Sequence, residues 1–206
     1  MKILIVEDEK GLSSSIAAFL QSEQYICEIA NDYPAALEKT ELYDYACIIL
    51  DISLPGKDGL EILKDLRVRF PKVKCIVLSM HPEERFALRT LKAGASGYVT
   101  KQVAASELVE AIRMVMHGGT YTSEKTTKEL VDELLRKSTP ELHQSLSDRE
   151  FVVFLSIAAG KSPAQIANQL SLSINTVNTY RRRILQKMLI TNTAELIRYA
   201  LEHRLL

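Results

Sequence analysis

Five short, β-branched apolar runs punctuate the first part of the chain, and each is followed by a longer stretch with helical spacing. The runs are ILIV (3–6), ICEIA (26–30), ACIIL (46–50), CIVL (75–78) and GYVT (97–100). Between and after them, one helix face is marked in turn by Leu12, Ile16, Phe19 and Leu20, by Ala36 and Leu37, by Leu60, Ile62, Leu63 and Leu66, by Phe86, Leu88 and Leu91, and by Leu108, Ile112 and Val115. Runs this apolar fit strands buried on both faces. The βα alternation then requires right-handed crossovers and helices on both sides of the sheet. The pattern predicts an α/β fold, a doubly wound five-stranded parallel sheet, over residues 1–120.

The remainder reads differently. After His117-Gly118-Gly119, a helix stop, the segment EKTTKELVDELLRK places Leu130, Leu134 and Leu135 on one face of a linker helix within 121–144, which is either a signalling element or only a solvated helix. Ser138-Thr139-Pro140 breaks it. LSDRE then opens a small all-α domain over 145–206, with Ser147 as N-cap, Glu150 completing a capping box, and Phe151, Phe154, Leu155 and Ile157 as the buried face. Four helices are expected there, at about 148–160, 163–170, 174–188 and 193–203.

A length of 206 residues suits two domains. No run is long enough to span a bilayer, and MKILIVEDE lacks a basic segment followed by an apolar one, so a soluble chain with no membrane partner is expected. Cys27, Cys47 and Cys75 each sit in an apolar run, which points to reduced core thiols and a cytoplasmic location. His81, His117, His143 and His203 show no metal-ligand spacing and read as isolated surface or cap residues. The formal charge sums to zero, yet residues 1–144 carry 18 Lys and Arg against 22 Asp and Glu, while residues 145–206 carry 8 against 4. The basic half is suited to a polyanion.

In an open α/β sheet, ligands bind beyond the carboxyl ends of the strands. That rule selects Glu7 and Asp8 after the first run, Asp51 after the third, Ser79 after the fourth and Lys101 after the fifth. Crowded carboxylates repel unless a cation joins them, and hard oxygen ligands suit Mg²⁺. With Lys101 and Ser79 beside it, Asp51 could accept a phosphoryl group as a nucleophile, the ammonium and the metal neutralising charge on the transferring oxygens.

Taken in order, LIVEDE (4–9), LDISLPGKDGLEIL (50–63), VLSMH (77–81) and GYVTK (97–101) resemble the receiver domain of bacterial two-component response regulators, whose fold is flavodoxin-like and CheY-like. The resemblance implies phosphorylation of Asp51 by a sensor histidine kinase and Mg²⁺ held by Glu7, Asp8, Asp51 and the backbone carbonyl of Ser53. It further implies that Ser79 swings toward the phosphoryl group while Tyr98 turns inward, and that Pro55 and Gly59 shape a tight turn. Glu7, Ser79 and Gln102 stand where Asp, Thr and Pro are commoner, departures that bear on phosphoryl lifetime.

In the basic half, AQIANQL, a short turn and INTVNTYRRR have helix-turn-helix proportions. On the second of these helices Val177, Tyr180, Ile184 and Met188 share one side and Asn178, Thr179, Arg182, Arg183 and Gln186 the other, a polar face suited to the DNA major groove. Arg181 lies nearer the apolar arc and reaches either a phosphate or its own domain. No acid occurs from 151 to 194. The region is similar to the LuxR-type (NarL/FixJ) helix-turn-helix, which implies DNA contacts from Asn178, Thr179 and Arg182 and phosphate contacts from Thr176 and Lys187. It also implies a homodimer on DNA paired through the last helix, where Ala194, Ile197, Ala200 and Leu201 are either that seam or domain core.

The expected function is a transcriptional response regulator, not an enzyme apart from phosphoryl acceptance and slow autodephosphorylation. A hydrolase resembling haloacid dehalogenases would need a second aspartate two residues after the nucleophile, where Ser53 stands. The alternative is a DNA-binding protein that is insensitive to phosphorylation and uses its receiver as a dimerisation platform.

Overall fold

The computed structural model describes residues 1–54, 58–102, 105–123, 126–128, 141–203 and 205–206, apart from the side chains of residues 84 and 85. The turn residue Pro55, the linker-helix residues Leu130, Leu134 and Leu135, and the break at Ser138-Thr139-Pro140 lie outside the described residues. By its internal contacts the chain divides into two compact units, Met1–Lys137 and Ser138–Leu206.

The first unit alternates β1 (Lys2–Val6), α1 (Lys10–Ser22), β2 (Ile26–Ala30), α2 (Tyr33–Leu42), β3 (Cys47–Asp51), α3 (Gly59–Arg69), β4 (Lys74–Ser79), α4 (Glu83–Lys92), β5 (Gly97–Thr100) and α5 (Ala105–Met116). All neighbouring strands are parallel, in the order β2-β1-β3-β4-β5. Ile3, Leu4, Ile5 and Val6 are wholly buried because β1, an interior strand flanked by β2 and β3, is covered on both faces. Each such side chain contributes about 1.5–3 kcal/mol of burial. On one face Ile3, Ile5, Ile49, Ile76 and Leu78 pack with Leu20 of α1 and Leu108, Ile112 and Val115 of α5. Cys47 and Cys75 are buried and Cys27 half-buried, all three as free thiols, and desolvation pushes each of them up from the ordinary thiol value.

Register aligns the functional edge. Val6 pairs with Leu50, Asp51 with Leu78, and Ser79 with Thr100, so the carboxyl ends of β1, β3, β4 and β5 finish together. The helix that follows β3 starts where Asp58 accepts a hydrogen bond from the Leu60 amide at 3.1 Å. Gly59 is required at that start, since a Cβ there would stand 2.3 Å from the Ile52 carbonyl oxygen. After α5 the chain returns along the outer edge of β5. The Tyr98 amide donates to the Tyr121 carbonyl at 2.9 Å, and the Tyr121 amide donates to the Ser96 carbonyl at 3.2 Å.

The second unit opens with a 3₁₀ turn (Leu142–Ser145), followed by α6 (Asp148–Ala158), α7 (Pro163–Gln169), α8 (Ile174–Lys187) and α9 (Thr193–Glu202). Capping boxes start both α6, from Ser147 and Glu150, and α7, from Ser162 and Gln165. Between α7 and α8 the turn passes through Ser171 at φ 53°, and Ser173 caps α8 by accepting from the Thr176 amide at 3.0 Å.

Two expectations are corrected here. His143 is no isolated surface residue: it is buried, its Nδ1 lies 3.0 Å from the Tyr199 hydroxyl, and its ring stacks on Phe151. Ala200 is completely buried, as is Leu196 one turn before it, so Ala200 belongs to the domain core and not to a seam on the surface. Ala194 and Leu201 remain exposed, and Ile197 is half-buried.

Candidate functional site

Five residues picked out by the strand-end rule converge at the carboxyl edge of the sheet. Glu7 and Asp51 are buried and Asp8 is exposed, and oxygens of all three lie within 4.8 Å of one another. Among the described residues this is the one acidic, cysteine or histidine cluster compact enough to share a cation. The Lys101 ammonium reaches between two of its members, 2.7 Å from Glu7 Oε2 and 2.9 Å from Asp51 Oδ2.

Electrostatics follow from burial. Desolvation, with the neighbouring Asp51 charge, holds the Glu7 carboxyl above the ordinary carboxylate range despite the opposing hydrogen bond from Lys101. Burial also works against the Lys101 ammonium, but its hydrogen bonds to Asp51 and Glu7 prevail and raise its pKa. Lys101 is therefore a fixed cation. Three carboxylates against one ammonium leave the cluster anionic, and its donors are all oxygens, with one of the carboxylates facing solvent. That donor set fits Mg²⁺.

The main chain after each strand shapes the rest of the site. The Ser53 amide donates to Asp51 Oδ1 at 2.7 Å. Ser79 is completely buried, and its hydroxyl oxygen accepts from the His81 amide at 3.1 Å. The Tyr98 ring is already inside, 1% exposed, with its hydroxyl donating to the His81 carbonyl at 2.9 Å. The inward position expected of Tyr98 is the one the ring occupies in this structure, where burial leaves its hydroxyl in need of the partner it finds. His81 itself stacks on Phe86 at 4.4 Å between ring centroids, and burial lowers its pKa against the pull of Asp51.

In the second unit, α8 separates its faces as its spacing predicts. Val177, Ile184 and Met188 are buried, whereas Asn178, Arg182 and Arg183 are exposed and Thr176 and Thr179 half-buried. Thr179 donates its hydroxyl to the Asn175 carbonyl at 2.9 Å. Arg181 reaches its own domain, donating to the Thr193 hydroxyl at 2.7 Å across a cleft of about 160 Å³ lined by Ile157, Pro163, Ile166 and Val177. Lys187 is engaged as well. Its ammonium lies 2.6 Å from Oε2 of Glu150, a buried carboxylate that also closes the capping box of α6. Burial raises the Glu150 pKa, but the hydrogen bonds from Lys187 and the Ser147 amide outweigh it and hold the group below the ordinary range. Sequence reasoning missed this pairing, which ties the carboxyl end of α8 to the amino end of α6.

Comparison with known proteins agrees in both units. Residues 3–113 match the response regulator receiver domain family, and residues 144–200 match the luxR family of bacterial regulatory proteins. The response regulator GacA of Pseudomonas protegens is 32% identical over 206 residues, covering 98% of this chain and 96% of the relative. The oxygen regulatory protein NreC of Staphylococcus carnosus is 31% identical over 215 residues, covering 100% and 99%. Among solved structures, the two-component response regulator RcsB in complex with DNA is 25% identical, with a TM-score of 0.58 over 97% of this chain and 96% of that one. RcsB of Salmonella typhimurium is 26% identical, with a TM-score of 0.59 over 97% and 98%. No described helix is long and apolar enough to cross a membrane.

Proposed function

The chain belongs to the response regulators that join a receiver domain to a LuxR-type DNA-binding domain, and from that premise we propose that Asp51 is the phosphoacceptor through which a sensor histidine kinase controls DNA binding. The observation that carries this reading is the Lys101 ammonium set between Asp51 and Glu7 at the sheet edge, with Asp8 beside them and Ser79 ending the adjoining strand β4. It is a cradle for a dianionic group next to a nucleophilic carboxylate.

In the proposed step an Asp51 carboxylate oxygen forms a bond to the phosphorus of a phosphohistidine. The N–P bond breaks, and its electron pair stays on the imidazole nitrogen. Lys101 balances charge on the transferred oxygens, and the Ser79 hydroxyl, now an acceptor for the His81 amide, donates to one of them. Mg²⁺, held by Glu7, Asp8, Asp51 and the Ser53 carbonyl, would supply further neutralisation of those oxygens. Slow attack by water on the acyl phosphate restores the carboxylate, the one hydrolytic activity expected.

The output follows from α8. Its exposed Asn178, Arg182 and Arg183, with the half-buried Thr179, are suited to base edges and phosphates in a major groove, as asparagine pairs with adenine and arginine with guanine. The RcsB likeness, a protein solved on DNA, supports this placement. Ala194, Ile197 and Leu201 on α9 form the proposed seam of a homodimer, which would present two such helices to a two-fold site. Selection of bound sequences from a random DNA pool, with and without Mg²⁺ and a small phosphoryl donor, tests the reading. One pseudo-palindromic site should emerge, its enrichment should rise with the donor, and Asp51→Asn should remove the rise. A site equally enriched with and without the donor would make the receiver a phosphorylation-insensitive platform.

A further inference from the structure

We propose that residues 120–123, with Thr126, form a strap, clipped to the amino end of α4 by Glu83, which phosphorylation of Asp51 releases from the edge of β5. The proposal rests on the phosphoacceptor reading above.

Glu83 is the first residue of α4, and its carboxylate points away from the helix to the returning chain. One of its oxygens accepts from the Thr122 hydroxyl at 2.7 Å and from the Ser123 amide at 2.6 Å. Ser123 continues the ordering: its hydroxyl lies 3.0 Å from that of Thr126, which is buried at 2% exposure, and it accepts from the Thr126 amide at 3.2 Å. Burial works against the Glu83 charge, yet the hydrogen bonds from Ser123, Thr122 and Thr126 prevail and lower its pKa from the ordinary carboxylate value. Two residues earlier, Tyr121 lies along β5, exchanging amide hydrogen bonds with Ser96 and Tyr98. Beneath it, Gly97 leaves room, since a Cβ there would stand 3.1 Å from that of Tyr121. The strap thus covers an edge strand that would otherwise present open amides and carbonyls.

This clip is connected to the phosphorylation site by a short run of bonds. Ser79 accepts from the His81 amide, the His81 carbonyl accepts from Tyr98, and Glu83 follows two residues after His81. When the Ser79 side chain rotates to carry its hydroxyl to a phosphoryl oxygen, its Oγ moves off the His81 amide, which loses that acceptor. The turn 80–83 must then re-form its hydrogen bonds, and Glu83 moves with it. Charge-assisted bonds to a carboxylate depend steeply on distance and angle, so a small displacement of the α4 amino end is enough to break both. Release frees the amides and carbonyls of the β5 edge that the strap covers.

Hydrogen–deuterium exchange on the full chain tests the clip at the Ser123, Tyr121 and Tyr98 amides. The expected result is slow exchange without donor, and an increase of about tenfold or more once Mg²⁺ and a small phosphoryl donor have phosphorylated the chain. Glu83→Ala should show the fast exchange with no donor at all and gain little on phosphorylation, and Thr122→Val, which removes one of the two bonds, should fall between. Protection of β1 amides reports that the variants are folded. Intact mass, read in parallel, separates the two ideas: absence of the phosphoryl mass gain overturns the phosphoacceptor reading, with the Glu83→Ala effect still standing as the test of the clip. Phosphoryl incorporation with the Ser123 amide still protected overturns the strap, and so does a Glu83→Ala chain that exchanges like the original.

Discussion

Replacing Lys187 by Met should cost stability and leave the salt dependence of DNA binding unchanged, the reverse of what a phosphate-contacting lysine would do. Glu150 is almost wholly buried, and its Oε2 accepts from both Lys187 Nζ at 2.6 Å and the Ser147 amide at 2.9 Å. A charge-assisted bond of this kind is worth about 1.5–3 kcal/mol when sheltered, and because the Lys187 side chain is 42% exposed, solvent screening reduces the expected loss to about 1–2 kcal/mol. Exchange of α6 and α8 amides in the full chain measures that loss. A double-mutant cycle with Glu150→Gln, which keeps a cap acceptor, isolates the pair. For DNA, each phosphate neutralised contributes about 0.9 to the slope of log affinity against log salt concentration, and titration of a labelled duplex at several salt concentrations reads that slope. A slope shallower by about 0.9, with α6 and α8 protection intact, would refute the structural assignment and return Lys187 to the DNA interface.

Three further outcomes are expected. Arg182→Ala should weaken binding to a selected site by about 1–3 kcal/mol more than binding to scrambled DNA, measured by competition at fixed salt; equal losses would demote Arg182 to a backbone contact. Gly59→Ala should destabilise the first unit by about 1–3 kcal/mol in urea denaturation, because the new Cβ would meet the Ile52 carbonyl at 2.3 Å, and a neutral result would mean that the start of α3 yields freely. Glu28 is held down to about 2 by hydrogen bonds from Lys2, Tyr45 and Lys39. A carboxylate with its folded pKa depressed lends stability above its ordinary value of 4.5, and this is lost as pH falls from there toward about 2. Glu28→Gln should therefore flatten that part of the acid limb, and an unchanged limb would show the pairing to be energetically idle.

Features written within a few residues were legible in the sequence. The strands follow from apolar runs, and Ser147 with Glu150 was readable as a capping box because its two hydrogen bonds join residues three apart. The same spacing in Ser162 and Gln165 carries the same signal for α7. The strand-end rule brought Glu7, Asp8, Asp51, Ser79 and Lys101 to one edge because parallel strands in register must finish together. Contacts between distant residues left no such mark. Glu83 and Ser123 are 40 residues apart, and His143 and Tyr199 are 56 apart, so neither pair shows in any local period. Ala200 was within reach. It lies one turn beyond Leu196, and that pair forms the buried stripe, while a small side chain gave too little hydrophobic signal to set it apart from the exposed side of the same helix.

The anchoring of α8 has an evolutionary consequence. The helix is fixed at its start by the Ser173 cap, along its length by Val177, Ile184 and Met188, and at its end by Lys187 on Glu150. Asn178, Arg182 and Arg183 are exposed, so exchanging them removes little buried surface and costs stability only within about 0.5 kcal/mol. Descendants of such a gene can therefore drift to new target sequences one substitution at a time, each intermediate still folded, while the residues that hold the reading head in place stay under constraint.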